Sequence, residues 1–488
     1  MKSSIRLALT AGALVALGPR ASFAAAPPPP VVDDAMKSPA PAPPVVDDAT
    51  KPPAPATPPK PQAPPGPPSA PRELPSYDGR PAPATTAGEA FLWAPRVVLF
   101  PIHVVTEFVL RRPLGAITVA AEKGKWIAAL TDFFTFDTDH KVGIVPTALI
   151  DFGFRTSVGV YFFADDFLAK GNALRVHAAF GGTDWLRLTI ADRIPLSTNS
   201  YFKIRGEASR RPDFFFYGIG PTSRLVDRAR YGADWLDGSA TYHVAVSKEV
   251  VVDSFVGVRT ASFYDEFCCR DLTVRERAAS PSYPIPTAYD TGYTGFRAGG
   301  MIALDTRRPR PEPGSGVRIE ASGSYGADLR APHATGWVKY GGAVGGFVDL
   351  TGNNHVLSLT ATALFVDPLR GQPIPFVELV SLGGNNPMSG FRDGRLLGRS
   401  AAAATLEYRY PIWAFLDGDA QLALGNVFNE HLDGLEPKNL RLSFDFGIRA
   451  AGQRDHSFSV LVGAGTETFG QGARLNEARL LIGGTSGF

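Results

Sequence analysis

The chain has 488 residues, of which 49 are basic and 47 acidic, and 44% are hydrophobic. So even a balance of charge argues against a broad basic field for nucleic acid. Beyond the N-terminus no run of roughly 20 apolar residues is long enough for a spanning helix, whereas membrane strands need only about 9 to 11 residues each.

Residues 1–24 read as a secretory signal. Lys2 and Arg6 form the charged start, Leu7 to Leu17 the apolar stretch, and Ser22-Phe23-Ala24 a small-x-small cleavage site. No cysteine follows, so a lipid-anchored mature terminus is not expected. Residues 25–90 read as a Pro-rich disordered periplasmic linker. Positions 27–86 hold 22 of the 43 prolines, and Pro29-Pro30-Val31-Val32-Asp33-Asp34-Ala35 recurs at Pro43 to Ala49. Such a tract buries too little apolar surface to fold and favours polyproline II. At about 3.1 Å per residue it reaches at most roughly 190 Å. It is either a spacer that docks peptidoglycan or a periplasmic protein, or an inert tail. Residues 91–138 read as an amphipathic helical segment. Pro113 stands where a helix begins, and Leu114 to Leu130 has helical periodicity with Glu122, Lys123 and Lys125 on one side. This segment is expected on the inner leaflet surface or across the periplasmic mouth.

From residue 139 to 488 the pattern changes to period two. In Leu440-Arg441-Leu442-Ser443-Phe444-Asp445-Phe446-Gly447-Ile448-Arg449-Ala450 the even positions are apolar and the odd ones small, polar or ionised. A strand so built shows hydrocarbon on one face and charge on the other. Sixteen candidates follow, near 142–149, 154–163, 173–180, 184–193, 200–210, 238–247, 251–263, 291–304, 315–325, 334–349, 353–366, 400–411, 416–427, 440–451, 455–468 and 476–488. Short connections alternate with long ones. The expected fold is all-β, a sixteen-stranded antiparallel transmembrane β-barrel with lipid outside and a wet lumen. An even count places both barrel ends in the periplasm. The rival, a soluble sandwich, would need a covering layer over its aliphatic rows. Lys203, Arg205 and Glu207, Arg318 and Glu320, and Glu407 and Arg409 are read as facing the lumen. Charges of both signs share that face, so an interior paired within itself is expected rather than a pore selective for one sign. The terminal Phe488 reads as a membrane-insertion signal. Cys268-Cys269 is either a vicinal disulfide or two loop thiols.

No chemistry of catalysis or cofactor binding is legible. The eight histidines lack metal-ligand spacing. Ser315 lacks the strand–elbow–helix context of a nucleophile, and Gly463-Ala464-Gly465 is not followed by a third glycine. No metal, cofactor or enzymatic role is expected, and Glu407 with Arg409 reads as a structural ion pair.

The most specific motif is Leu382-Gly383-Gly384-Asn385-Asn386-Pro387-Met388-Ser389-Gly390-Phe391-Arg392, followed by Glu407-Tyr408-Arg409-Tyr410-Pro411. Together these resemble the bacterial surface antigen family of outer-membrane barrels, the BamA/TamA superfamily, in a form without its periplasmic repeat domains. Phe216-Tyr217-Gly218-Ile219-Gly220, Leu304-Asp305-Thr306-Arg307 and Asp445-Phe446-Gly447-Ile448-Arg449 fit further family motifs. The resemblance covers roughly residues 140–488. It implies a long sixth surface loop folded into the lumen, and a role in inserting or exporting other polypeptides. The partners implied are outer-membrane lipid and client chains.

Two positions depart from that pattern. The family's loop-tip arginine falls on Ser389, and the acidic residue of its partner strand falls on Ala423. Losing one member of a buried ion pair costs about 3–5 kcal/mol, so loss of both together is the consistent outcome. The loop is then expected to be held either by Arg392 pairing with Glu407 or Asp445, or by packing of Phe391. Arg409, Arg441 and Arg449 complete the candidate lumen charges. The expected function is assistance in polypeptide insertion or translocation through a weak seam between first and last strands. The alternative is a narrow or plugged pore, or a structural barrel tethered to the wall by its Pro-rich arm.

Overall fold

A computed structural model describes residues 133–266, 269, 271–280, 283–307, 314–330, 336–384, 387–413, 416–450 and 456–486. The signal and Pro-rich segments, residues 91–132 of the helical segment, Cys268, Asn385, Asn386 and Phe488 lie outside the described residues.

Sixteen strands close into one antiparallel barrel. They are β1 (Val142–Asp151), β2 (Ser157–Asp165), β3 (Ala173–Gly182), β4 (Trp185–Ser197), β5 (Ser200–Phe216), β6 (Ala229–Ala245), β7 (Val250–Tyr264) and β8 (Tyr293–Asp305), then β9 (Gly316–Asp328), β10 (Gly336–Asp349), β11 (Val356–Leu369), β14 (Ser400–Trp413), β15 (Leu416–Phe428), β16 (Arg441–Ala450), β17 (His456–Thr466) and β18 (Leu475–Ser486). Apart from the β1–β18 closure, each neighbour in the ring is the next strand in sequence. The other exception is β11 to β14, which spans the long loop containing β12 (Val380–Leu382) and β13 (Leu396–Gly398). All sixteen candidates fall on barrel strands; this small ribbon was not foreseen. Its three-residue strands are too short to show a period.

The period-two pattern sorts the wall as expected. On β2, Val158 and Val160 are exposed, whereas Tyr161 and Phe163 are buried inside. On β4, Leu186, Leu188 and Ile190 face outward while Thr189 and Ala191 are buried. On β16, Phe444 is outside and Arg441, Ser443 and Asp445 are inside. Among the described residues no helix is long and apolar enough to cross a membrane; the strands do so instead.

The strands differ in length. β5 and β6 have 17 residues each, while β1 and β2 have 10 and 9. The extensions carry an aromatic cluster at the loop-rich end. Phe216, Tyr231, Phe263, Tyr289, Tyr293, Trp337 and Phe376 pack there inside the ring. That explains why β6 begins at Ala229, nine residues before its candidate. Its first half turns Ala229, Tyr231 and Ala233 inward onto the cluster instead of onto water. Trp337 is pinned by two glycines. It stands directly across from Gly326, where an added Cβ would come within 2.3 Å of the indole, and its ring also covers Gly295. A large ring shielding a cross-strand glycine fixes register where glycine alone would leave it loose.

The ring closes weakly. β1 and β18 share three residue pairs, Leu149↔Gly483, Ile150↔Ile482 and Asp151↔Leu481. β1 pairs with β2 over eight positions, and β17 with β18 over eleven. All three seam pairs lie at the C-terminal end of β1. At its other end Thr135 bridges Gly143, so the chain entering the barrel folds back on β1. Between them, Ile144 to Ala148 have no registered partner on β18 among the described residues.

Gly326→Val is expected to drive Trp337 out of its seat. The expected destabilisation is about 1–3 kcal/mol, measured as a fall in the temperature at which the barrel loses its compact mobility on unheated gels. Gly323→Val, where an added Cβ has space around it, should leave that temperature nearly unchanged.

Candidate functional site

The loop between β11 and β14 crosses the lumen and is anchored on opposite walls. Its first anchor is Glu378, in the short turn Phe376–Glu378. Glu378 is fully buried and accepts hydrogen bonds from Lys339 Nζ at 2.6 Å and from the Tyr293 hydroxyl, with Arg259 Nη1 at 3.5 Å. Arg259 and Arg297 in turn share Asp237. Strands β6, β7, β8 and β10 thus converge on one loop carboxylate. Burial opposes its ionisation, but Lys339, Arg259 and Arg297 outweigh burial and hold the carboxyl down at about 2.

The loop then runs through β12, turns at residues 383–392, and returns through β13. Gly383 and Gly384 both have positive φ, 96° and 66°, which glycine adopts without strain. The turn is closed by Gly383 N donating to Pro387 O at 3.1 Å and Gly384 N donating to Phe391 O at 2.9 Å. Gly390 N donates to Ser443 Oγ at 2.9 Å. A Cβ at Gly390 would lie 2.4 Å from the Ala464 carbonyl, so the tip touches the backbone of β16 and β17 directly. Phe391 is fully buried against Gly465, where any Cβ would meet its ring at 2.2 Å. Gly465 thus leaves the space that this ring fills.

Ser389 lies within hydrogen-bond reach of Gln421 Oε1 at 3.0 Å and of the Asp445 carboxylate. Ala423 is fully buried on the same wall, two positions along β15 from Gln421. The Ser389 hydroxyl thus meets polar groups of β15 and β16 at the tip.

Arg392 does not pair with Glu407 or Asp445. Its Nη1 lies 3.7 Å from Glu477, Nε donates to Phe152 O at 2.8 Å, and Nη2 donates to Ala478 O at 2.9 Å. The chain direction after Phe391 explains this: with that ring socketed on β17, the next side chain projects over β18 and the end of β1. Glu407 is occupied elsewhere, with Arg409 at 2.9 Å and Arg449 on its other side, and Asp419 is 3.8 Å from Arg449. Arg441 is not an ion-pair partner of the tip. It donates to Ser223 O at 2.6 Å and to the Pro221 and Thr466 carbonyls at 3.2 Å.

Sequence reasoning did not single out Glu477, Arg479, Arg395, Asp151 and Glu378. Arg395 and Glu477 are both fully buried and joined at 3.0 Å, and Arg395 also donates to Ser223 Oγ and O at 2.9 and 3.1 Å. Gly220 N donates to Leu397 O at 2.8 Å, so the turn Phe216–Gly220 and the lumen loop hold each other. Arg479 of β18 donates to the loop-tip carbonyls of Gly384 and Ser389, the latter at 2.9 Å, and pairs with Asp151 of β1 at 3.2 Å. The alternation of Glu477 and Arg479 with Ala478 and Leu480 in the last strand was the available signal. Cys269, in the β7–β8 connection, is disulfide-bonded. Among the described residues no group of acidic, histidine or cysteine side chains could hold a metal.

An apolar outer wall, a charged inner wall and a loop pinned across the lumen define a transmembrane β-barrel with an occluding inner loop. Residues 259–451 match the Omp85 superfamily domain. The barrel from within β7 to the end of β16 thus carries an Omp85 superfamily domain, which indicates the outer membrane. Similar solved structures include BamA from Haemophilus ducreyi lacking POTRA domains 1–3, at 14% identity and TM-score 0.48, covering 70% of each chain. CdiB from Acinetobacter baumannii is similar at 10% identity and TM-score 0.43, and CdiB from Escherichia coli at 12% and 0.45. The match covers 70% of this chain in both cases, and 59% and 62% of those two. No curated protein matches the chain.

Two substitutions test the anchors. Glu378→Gln leaves Lys339 without its buried counter-charge, while Arg259 keeps Asp237, and should cost about 3–5 kcal/mol, read as a lower unfolding temperature. Gly465→Val should expel Phe391 and expose the loop to added protease, with cleavage mapped between β12 and β13 by mass spectrometry.

Proposed function

We propose that this barrel assists the insertion or translocation of other polypeptides at the outer membrane, using the β1 edge as a template. The observation that carries this reading is the seam. Three registered pairs close it, and Ile144 to Ala148 present β1 backbone that β18 does not engage among the described residues. An unengaged strand edge can pair with an incoming extended chain, because its N–H and C=O groups gain partners by that addition. Pro146 lacks an N–H, which limits how far such an added strand is held. The BamA and CdiB likenesses accord with this reading.

The same reading puts the N-terminal arm, residues 25–90, in the periplasm; an even strand count, with Val142 and Ser486 at one rim, supports it. A second reading rests on the lumen. The anchored loop and the aromatic cluster narrow the passage, which suits a plugged pore or a barrel that serves as a wall tether.

Outer-membrane proteomes of wild-type and deletion strains, compared by quantitative mass spectrometry, separate these readings. Selective loss of a few surface proteins with unchanged transcripts is expected. Ile150→Cys with Ile482→Cys, in a background with Cys268→Ser and Cys269→Ser, should fail to restore them when oxidised and restore them when reduced. An unaltered proteome in the deletion strain would support the pore or tether.

A further inference from the structure

The seam is weak along most of its length and strongly tied at one end. Five guanidinium contacts converge where β1 finishes. Arg392 Nε donates to Phe152 O just past β1, and Arg392 Nη2 donates to Ala478 O on β18, at 2.8 and 2.9 Å. One loop side chain therefore spans both sides of the seam. Arg479, on β18, reaches Asp151 at 3.2 Å across the seam and the tip carbonyls of Gly384 and Ser389 within the loop. One β18 side chain therefore spans the seam and the loop. Phe152 N donating to Leu480 O at 3.0 Å lies between them.

We infer that Arg392 and Arg479 form a two-arginine brace that makes closure of the seam at this end conditional on the lumen loop being seated. A planar guanidinium offers several donors in a fixed fork, so it can hold two backbone carbonyls on different strands at once; an ammonium is a point donor on a flexible stem. Glu477 beside them, joined to Arg395, fixes where the loop presents Arg392. The arrangement has a direction. Among the described residues the rim where β1 starts has no such tie to β18, and Ile144 to Ala148 lack β18 partners. Opening begins at that rim and reaches the far end only when the tip releases Phe152 and Ala478. A strand added to β1 would thus be admitted from the periplasmic side with the loop in place, and full separation of β1 from β18 would require the loop to lift. That use of the brace rests on the function proposed above; the brace itself rests on the contacts alone.

Hydrogen–deuterium exchange on the full chain in phosphatidylcholine vesicles reads the brace without any client. The wild type is compared with Arg392→Ala and Arg392→Lys, after unheated gel mobility confirms that each is folded. Each lost hydrogen bond contributes about 1 kcal/mol, so exchange in the peptide containing Ile150 to Phe152 should quicken about fivefold or more in both variants. Exchange in Ser459 to Val462, paired with β18 on its other side, should stay at the wild-type rate. Wild-type rates at the seam in both variants would overturn the inference. So would equal acceleration at both sites, which is general loosening. Wild-type behaviour of Arg392→Lys alone would assign the effect to the charge facing Glu477 and overturn the fork. A braced seam in a strain whose proteome is unaltered by deletion would leave the brace standing and remove the proposed function.

Discussion

The constraint on which this structure depends is the absence of water in the hydrocarbon layer. A strand in lipid must find partners for its backbone groups within the protein, and only a closed ring supplies them throughout. Fifteen of the sixteen interfaces here are ordinary hairpin or neighbour pairings. The sixteenth must be made by the chain's two distant ends, and three residue pairs make it. Much that is unusual inside the barrel compensates for that one interface. The inner loop contributes Arg392 to it, β18 contributes Arg479, and the buried Arg395–Glu477 pair holds the loop where both can act.

The lumen shows how a charged interior is made compatible with a stable wall. Its ions occur as small mixed clusters: Glu407 between Arg409 and Arg449, Arg318 with Glu320 and Asp305, and Glu207 with Arg187 and Arg205. Each cluster spans two or more strands, so the pairs fix register across the ring as well as balancing charge. The Glu378 cluster goes further, because its carboxylate belongs to the loop and its cations to three strands of the wall, β7, β8 and β10. The loop is consequently part of the fold's electrostatics and not a passenger in the lumen.

Most of the fold was legible because period two is set by strand geometry and needs no partner to be read. The strands from Val142 to Ser486 announce themselves in this way, and so does the side on which Arg441, Ser443 and Asp445 lie. The loop contacts were not legible for the converse reason. Glu378, Arg395 and Glu477 are separated by as many as 99 positions in sequence, and which of them meet depends on where the tip seats. Arg392 is the instructive case. Its proximity in sequence to Ser389 suggested that it would take over the same partners. Socketing of Phe391 against Gly465 turns the chain, and three residues later the side chain reaches a different pair of strands. The short ribbon of β12 and β13 escaped for want of length.

The Arg479–Asp151 contact joins residues 328 positions apart. Every other strand pairing joins barrel strands consecutive along the chain, β11 and β14 across the lumen loop included, but this one needs the whole sheet to curl. Search entropy grows with the length of chain enclosed, and non-local pairings dominate folding time. Ring closure accordingly carries the largest loop-closure cost of any strand pairing in the barrel. Until it occurs, the nascent sheet has two unsatisfied edges. A loop that has already seated on β16 to β18 brings Arg392 to the place where β1 must arrive, and so gives the returning edge a fixed target in an otherwise open search.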